Sequence, residues 1–301
     1  MKVAECVTTC EVLPSASIVN GWDEIVTEQE VKDRLLHAAL LSWELRSRLP
    51  FTVTAVHGLV LLYGPPGTGK TTLARSVALE MCGLVPGGKV RLIEINPHGL
   101  MSAEHGQSQQ KVHELLCEHI PLLADDGVPT VVVLDEVESM AVARSAASLS
   151  ANPADVHRAT DAVLAALDRN AAMHPHIIMV ATSNFTDALD DAFRSRADAA
   201  IEMPLPDEDA VLTILRRTLA GFGSAYPALA TISDEPKLAT VAAGLVGRDG
   251  RQIRKYVTET LARHRETVVD PGTLSLQHLL DGLPPRTGQA SRKGGGPRAA
   301  A

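Results

Sequence analysis

Eight consecutive residues, Gly64-Pro65-Pro66-Gly67-Thr68-Gly69-Lys70-Thr71, have the types and spacing of a phosphate-binding loop, with Thr72 closing the stretch. The glycines let the backbone curl so that its N–H groups point at phosphate oxygens, and a helix beginning there adds its positive end. Lys70 can reach the β- and γ-phosphates of ATP, and the Thr71 hydroxyl can ligate Mg2+. Farther on, Asp135 and Glu136 follow the apolar run Val131–Leu134. A carboxylate at the end of a buried strand can hold the Mg2+ that Thr71 touches, and Glu136 stands where it can polarise an attacking water. Alone, an Asp-Glu pair after a strand reads as a helix N-cap. Beside the phosphate loop it reads as hydrolytic.

Asn184 follows another apolar run across Ser183, where an amide can align water against the γ-phosphate; alone it would be turn chemistry. Arg194 and Arg196 sit in Asp191-Ala-Phe-Arg-Ser-Arg-Ala-Asp198. Such a cluster is either a solvated face or a source of positive charge supplied across a subunit boundary to the γ-phosphate oxygens. The second reading requires an oligomer.

These residues must be positioned by a buried sheet. Leu59–Tyr63, Val90–Ile95, Thr130–Leu134 and Ile177–Thr182 are nearly continuous apolar runs, as expected of parallel strands buried on both faces, and Ala200–Met203 is a fifth candidate. Helical spacing predicts helices over Lys70–Met81, Ser108–Ala124 and Val156–Asn170. The alternation predicts an α/β fold with a parallel five-stranded sheet flanked by helices. After Pro206 the pattern is helical throughout: Glu208–Ala220, Pro236–Ala243, Gly250–Glu266 and the shorter Leu274–Leu280. The expected organisation is an N-terminal extension (1–20), an α/β ATPase domain (21–206), a small all-helical lid (207–283) and a disordered basic tail (284–301).

Composition bounds the function. The 301 residues are 45% hydrophobic and 21% charged, ordinary for a globular chain, and aromatics at 3% leave the core to Ala, Val, Leu and Ile. A net charge of −8 speaks against a surface dominated by phosphate-backbone contacts, so nucleic acid is not the expected partner. The four cysteines, at 6, 10, 82 and 117, are too sparse for a disulfide framework and form no Cys-x-x-Cys pair. The first 20 residues lack the apolar centre of a signal peptide, and no apolar run approaches the roughly 20 residues of a membrane span. A cytoplasmic protein is expected.

Phosphate loop, Asp-Glu, Asn and Arg in this order, followed by a helical lid, resemble the AAA+ ATPases. More narrowly, Leu92-Ile-Glu-Ile-Asn96, Leu134-Asp-Glu-Val-Glu-Ser-Met140 with Arg144, Ala181-Thr-Ser-Asn184, Ala192-Phe-Arg-Ser-Arg-Ala-Asp198 and Gly250-Arg251-x-x-Arg254-Lys255 look like the pachytene checkpoint protein 2 family. The resemblance runs from about Gly21 to His264. It implies a homohexameric ATPase that pulls on HORMA-domain proteins through a central pore and converts closed conformers to open ones. It also implies that Asn184 is the first sensor, that Arg196 is the trans-acting finger with Arg194 as its rival, and that Arg251 is the second sensor with Arg248 as an alternative. Ile25 and Val26 look like part of the adenine pocket.

This chain departs from the family twice. Eukaryotic members carry a substrate-recognition domain ahead of the ATPase, whereas about 20 residues precede Gly21 here; the resemblance is therefore to short bacterial members found in antiphage operons. Where the family places an aromatic pair to grip substrate, this chain has Ala103-Glu104-His105. The loop near Ser145–Pro153 offers other contacts. Two alternative functions stand beside remodelling: a nucleic-acid-associated AAA+ ATPase of the clamp-loader or replication type, and a nucleotide-switched scaffold without unfolding activity.

Overall fold

The computed structural model describes residues 3–96, 107–142, 153–185 and 189–284. The chain divides into two compact units, Met1–Leu205 and Pro206–Ala301. Along the first unit lie β1 (Val7–Leu13), α1 (Gln29–Arg48), α2 (Phe51–Thr54), β2 (Leu59–Tyr63), α3 (Lys70–Cys82), β3 (Val90–Ile95), α4 (Gln107–Glu114), β4 (Thr130–Leu134), α5 (Pro153–Met173), β5 (Ile177–Ser183), α6 (Asp191–Ser195) and β6 (Ala199–Glu202).

The sheet has six strands rather than five, in the order β1-β3-β4-β5-β2-β6. The five expected strands pair in parallel, and β1, from the stretch read as an extension, adds an antiparallel edge against β3. Successive residues of the inner strands serve opposite faces. Val132, Leu134, Met179 and Ala181 join a core with Val112 and Leu116 and with Val163 and Leu167 of α5. Their neighbours Val131, Val133, Ile178 and Val180 join a second core with Leu35 and Ala39 of α1 and Leu73 and Val77 of α3. Burial on both faces is why these strands read as unbroken apolar runs.

The helix expected over Ser108–Ala124 is interrupted. From α4 the chain passes through a π-helical segment, Leu115–His119, into a short α-helical turn, Ile120–Leu123. Pro121 has no N–H to give the carbonyl five residues back, that of Leu116. Asn170 of α5 supplies the missing donor, with Nδ2 2.9 Å from the Leu116 oxygen.

The second unit is all helical among the described residues: α7 (Glu208–Gly223), α8 (Pro227–Ser233), α9 (Leu238–Leu245), α10 (Gly250–Leu261), α11 (Arg265–Val269) and α12 (Leu276–Asp281). Asp207 caps α7, and Asp249 with Gln252 forms a capping box at the start of α10. The helix expected over Gly250–Glu266 breaks at the Arg263–His264 turn, and α8 was not anticipated. Ala103-Glu104-His105, Arg144, most of the Ser145–Pro153 loop and the tail beyond Pro284 lie outside the described residues.

Candidate active site

The loop between β2 and α3 carries the residues expected to bind phosphate. Gly64 has φ 140°, and a Cβ there would stand 2.3 Å from the Met203 carbonyl oxygen. Gly69 has φ 98°, and a Cβ there would stand 2.7 Å from Cδ1 of Ile25. Both positions therefore need glycine on two counts, backbone conformation and space. The close approach also places Ile25 against the loop, while its burial in the second core shows that it serves packing as well. Within the loop Thr68 Oγ1 donates to the Pro65 carbonyl at 2.9 Å. Lys70, at the first position of α3 and 6% exposed, turns its Nζ back onto the carbonyls of Gly64 and Pro65 at 2.8 and 2.7 Å. The strong donor that phosphates would engage is thus stored on the loop itself.

Thr71, Asp135, Glu136 and Asn184 converge next to it. Thr71 Oγ1 donates to Asp135 Oδ1 at 2.7 Å, bringing the start of α3 to the end of β4. Glu136 takes a left-handed conformation, φ 51° and ψ 51°, uncommon for a residue with a side chain. Asn184, just beyond β5, donates from Nδ2 to Glu136 Oε1 at 3.4 Å, a long contact. Its own backbone N–H donates to Glu138 Oε1 at 3.1 Å, so the Asp-Glu-Val-Glu segment both presents Glu136 and seats Asn184. A cavity of about 300 Å³ opens here, lined by Thr71, Arg75, Glu94, Asn96, Asp135 and Glu136 among others.

Three contributors were not singled out from the sequence. Thr182 of β5, 1% exposed, donates its hydroxyl to Asp135 Oδ1 and accepts the Glu136 N–H at 3.1 Å. Glu94 of β3 is paired with Arg75 of α3 and accepts from Thr9 Oγ1 of β1 at 2.6 Å, tying the edge strand to the helix that carries Lys70 and Thr71. Asp198 gathers the N–H groups of His57, Gly58 and Leu59 at 2.9, 2.7 and 3.1 Å and the Ser42 hydroxyl at 3.0 Å. That carboxylate fixes the Arg-Ser-Arg-Ala-Asp turn to the start of β2. Each lies within a segment that resembles the family, but Thr182 ends a buried apolar run and the partners of Glu94 and Asp198 are distant in sequence, so the role of each shows only in the fold.

The two candidate arginines are placed differently. Arg196 pairs with Asp168 of α5, and Arg194 pairs with Asp191 one turn earlier in its own helix. Arg251 stands exposed in the first turn of α10, in the second unit. Arg248 precedes that helix.

A curled loop that tolerates no Cβ at two glycines, a lysine at its end and hydroxyl and carboxylate oxygens beside it fit a nucleotide triphosphate with Mg2+, which takes hard oxygen ligands. No cluster of three or more His, Cys, Asp or Glu forms a separate metal site among the described residues, and the four cysteines are free thiols. A phosphate loop after β2 and an acidic pair at the end of β4, with β5 standing between the two strands, define an ATPase of the AAA class. Residues 60–205 match the family described as "ATPase family associated with various cellular activities (AAA)".

CD-NTase-associated protein 6 of Pseudomonas aeruginosa is 44% identical over 271 residues, 90% of this chain and 89% of that protein. The pachytene checkpoint protein 2 homolog of Rattus norvegicus is 33% identical over 207 residues, 67% of this chain but 48% of its own length. This chain thus spans about half the length of that eukaryotic relative. The chain belongs to the AAA ATPases, in the family that holds CD-NTase-associated protein 6 and, at greater distance, the pachytene checkpoint protein 2 homologues. A structure of the E. coli MS115-1 HORMA:CdnC:Trip13 complex shares the fold, with a TM-score of 0.74 at 17% identity over 94% of this chain and 96% of that one. No helix among the described residues is long and apolar enough to cross a membrane.

Proposed function

We propose that this ATPase is a homohexameric protein remodeller that opens HORMA-domain proteins and releases what they hold, within a bacterial antiphage signalling system. The observation that carries the reading is the 44% identity with CD-NTase-associated protein 6 along nine-tenths of both chains. That relative is by name associated with a CD-NTase, and the E. coli complex of the same fold contains HORMA and CdnC chains.

In this reading Lys70 leaves the Gly64 and Pro65 carbonyls to engage the β- and γ-phosphates, while the loop N–H groups hold the remaining oxygens. Thr71 and Asp135 would hold Mg2+, which would supply positive charge against the phosphates. Glu136 polarises the attacking water and Asn184 aligns it. Arg196 of one subunit neutralises charge on the γ-phosphate of the next, and Arg251 serves as the second sensor.

The test uses a closed HORMA-domain protein carrying a fluorescent peptide. With ATP, the wild-type chain should release the peptide; Glu136→Gln should bind the complex without releasing it, and Lys70→Ala should do neither. Release by Glu136→Gln at the wild-type rate would replace remodelling with a scaffold switched by ATP binding alone. ATP turnover driven by DNA and indifferent to the HORMA protein would favour the nucleic-acid reading.

A further inference from the structure

The geometry points to Thr182 as a positioning residue for ATP hydrolysis, one hydroxyl that orients the Asp135 carboxylate and fixes the Glu136 backbone at the same time. The inference rests on the assignment of Asp135 and Glu136 to hydrolysis. Parallel pairing of Leu134 with Ala181 places the next residues, Asp135 and Thr182, side by side as the two strands end. Thr182 Oγ1 donates its proton to Asp135 Oδ1, and its lone pair accepts the Glu136 N–H at 3.1 Å. Both directions of the hydroxyl are thereby used, and its rotation is fixed.

Two features make this more than a satisfied core threonine. Glu136 is one of two non-glycine residues with positive φ among the described residues, and such a conformation persists only where its surroundings over-determine it. The Thr182 oxygen supplies a fixed anchor for that turn's N–H. Asp135 Oδ1 also receives two hydroxyl protons, from Thr71 and from Thr182. Thr71 sits at the start of α3 beside the phosphate loop, where a bound nucleotide and its Mg2+ would compete for its oxygen. Thr182 sits in β5, paired on both sides by β4 and β2, and stays. The loop hydroxyl is the exchangeable partner of Asp135, and the strand hydroxyl is the constant one.

Thr182→Val keeps the shape and removes the hydroxyl, and Thr182→Ser keeps the hydroxyl. In the full chain, Thr182→Val should bind a fluorescent ATP analogue within about threefold of wild type while kcat falls by roughly tenfold to a hundredfold. Hydrogen exchange at the Glu136 amide, measured without nucleotide, should speed up in Thr182→Val and not in Thr182→Ser. Thr182→Ser should recover most of the turnover. Should Thr182→Val fail to fold, Thr182→Cys, a weak donor of similar size, takes its place. Wild-type turnover in Thr182→Val, an unchanged Glu136 amide, or a Thr182→Ser as slow as Thr182→Val would overturn the inference. Glu136→Gln runs alongside: normal turnover there would remove the assignment of Glu136 itself, a separate failure.

Discussion

Arg196 lies side-on against Asp168, with Nε donating to Oδ1 at 2.7 Å and Nη2 to Oδ2 at 2.8 Å. Its Nη1 also donates to the Ala192 carbonyl at 2.9 Å, and His57 Nε2 stands 3.3 Å from the same Asp168 carboxylate. The guanidinium holds the Asp168 carboxyl below its usual range. A finger that acts on a neighbouring subunit must leave a bidentate pair, the strongest geometry arginine makes with a carboxylate. Asp168 would then keep His57.

Arg196→Ala should assemble and bind ATP but hydrolyse it slowly, by roughly 10³-fold or more. Arg194→Ala, which gives up a pair at an exposed helix turn, should stay near wild type. Mixing Arg196→Ala with Lys70→Ala subunits should restore part of the turnover, because each supplies what the other lacks. ATPase rates of the single and mixed preparations, with assembly followed by mass photometry, decide it. Slow turnover in Arg194→Ala alone would exchange the two roles.

Lys70→Ala should lose nucleotide binding by at least about a hundredfold, since the loop's charged donor to the phosphates disappears. Glu136→Gln should keep ATP affinity and stall after binding. Equilibrium titration with a fluorescent nucleotide separates them from a general folding defect, which would weaken both alike.

Arg46 predicts a stability effect. This buried guanidinium donates to the Ile177 carbonyl, and to those of Asn170 and His174 at 2.9 and 3.0 Å, where α5 ends and β5 begins. Burial lowers its pKa to about 10, so it remains charged at neutral pH, against the negative end of α5. Arg46→Met strands the Ile177 carbonyl, at about 1–3 kcal/mol for an acceptor left without a donor, whereas the Asn170 and His174 carbonyls still accept the backbone N–H groups of His174 and Ile177. A loss of about 2 kcal/mol, or roughly 4–8 °C in Tm, is expected by calorimetry.

Next to Arg46, burial depresses the pKa of His174 and His176, and each ring also repels nearby positive charge. A carbonyl partner, Ala124 at 2.8 Å, selects the Nε2–H form of His176. A histidine with a lowered folded pKa stays neutral in the fold while the unfolded chain takes up protons. Stability should therefore fall as pH drops from about 6.5 toward the lower folded values, and no further below them. Replacing both with Gln should flatten that limb in a series of Tm against pH. An unchanged slope would assign the acid loss to carboxylates.

The phosphate-loop motif and the inner strands were legible in the sequence because chemistry and burial both write locally. Gly64–Thr71 is contiguous, and strands buried on both faces are apolar at nearly every position. Neither condition holds for β1, whose residues Val7 to Val12 alternate half-buried and exposed under Thr, Cys and Glu before ending on buried Leu13. Nor does it hold for α1, whose inward stripe runs Val31, Leu35, Ala39, Ser42 and Arg46, mixing polar residues into the buried face. The π-helical break after α4 is signalled only by Pro121, and its compensating donor, Asn170, comes from another helix. At the site, Glu136 and Asn184 are found by motif order, whereas Thr182 is indistinguishable from a β-branched core residue until the register with β4 is known.

The strand order also governs when, during synthesis, a nascent chain can first hold nucleotide. Both neighbours of β2 are encoded after residue 176, and the Gly64 N–H that opens the loop donates to the carbonyl of Ser183. Until β5 leaves the ribosome, the loop hangs from an unpaired apolar strand, with its internal Thr68 and Lys70 hydrogen bonds but without the Ser183 carbonyl that holds its first N–H. Release fragments that end before Ile177 should be ATP-blind and prone to sticking through Leu59–Tyr63, whatever the completeness of their phosphate-loop sequence.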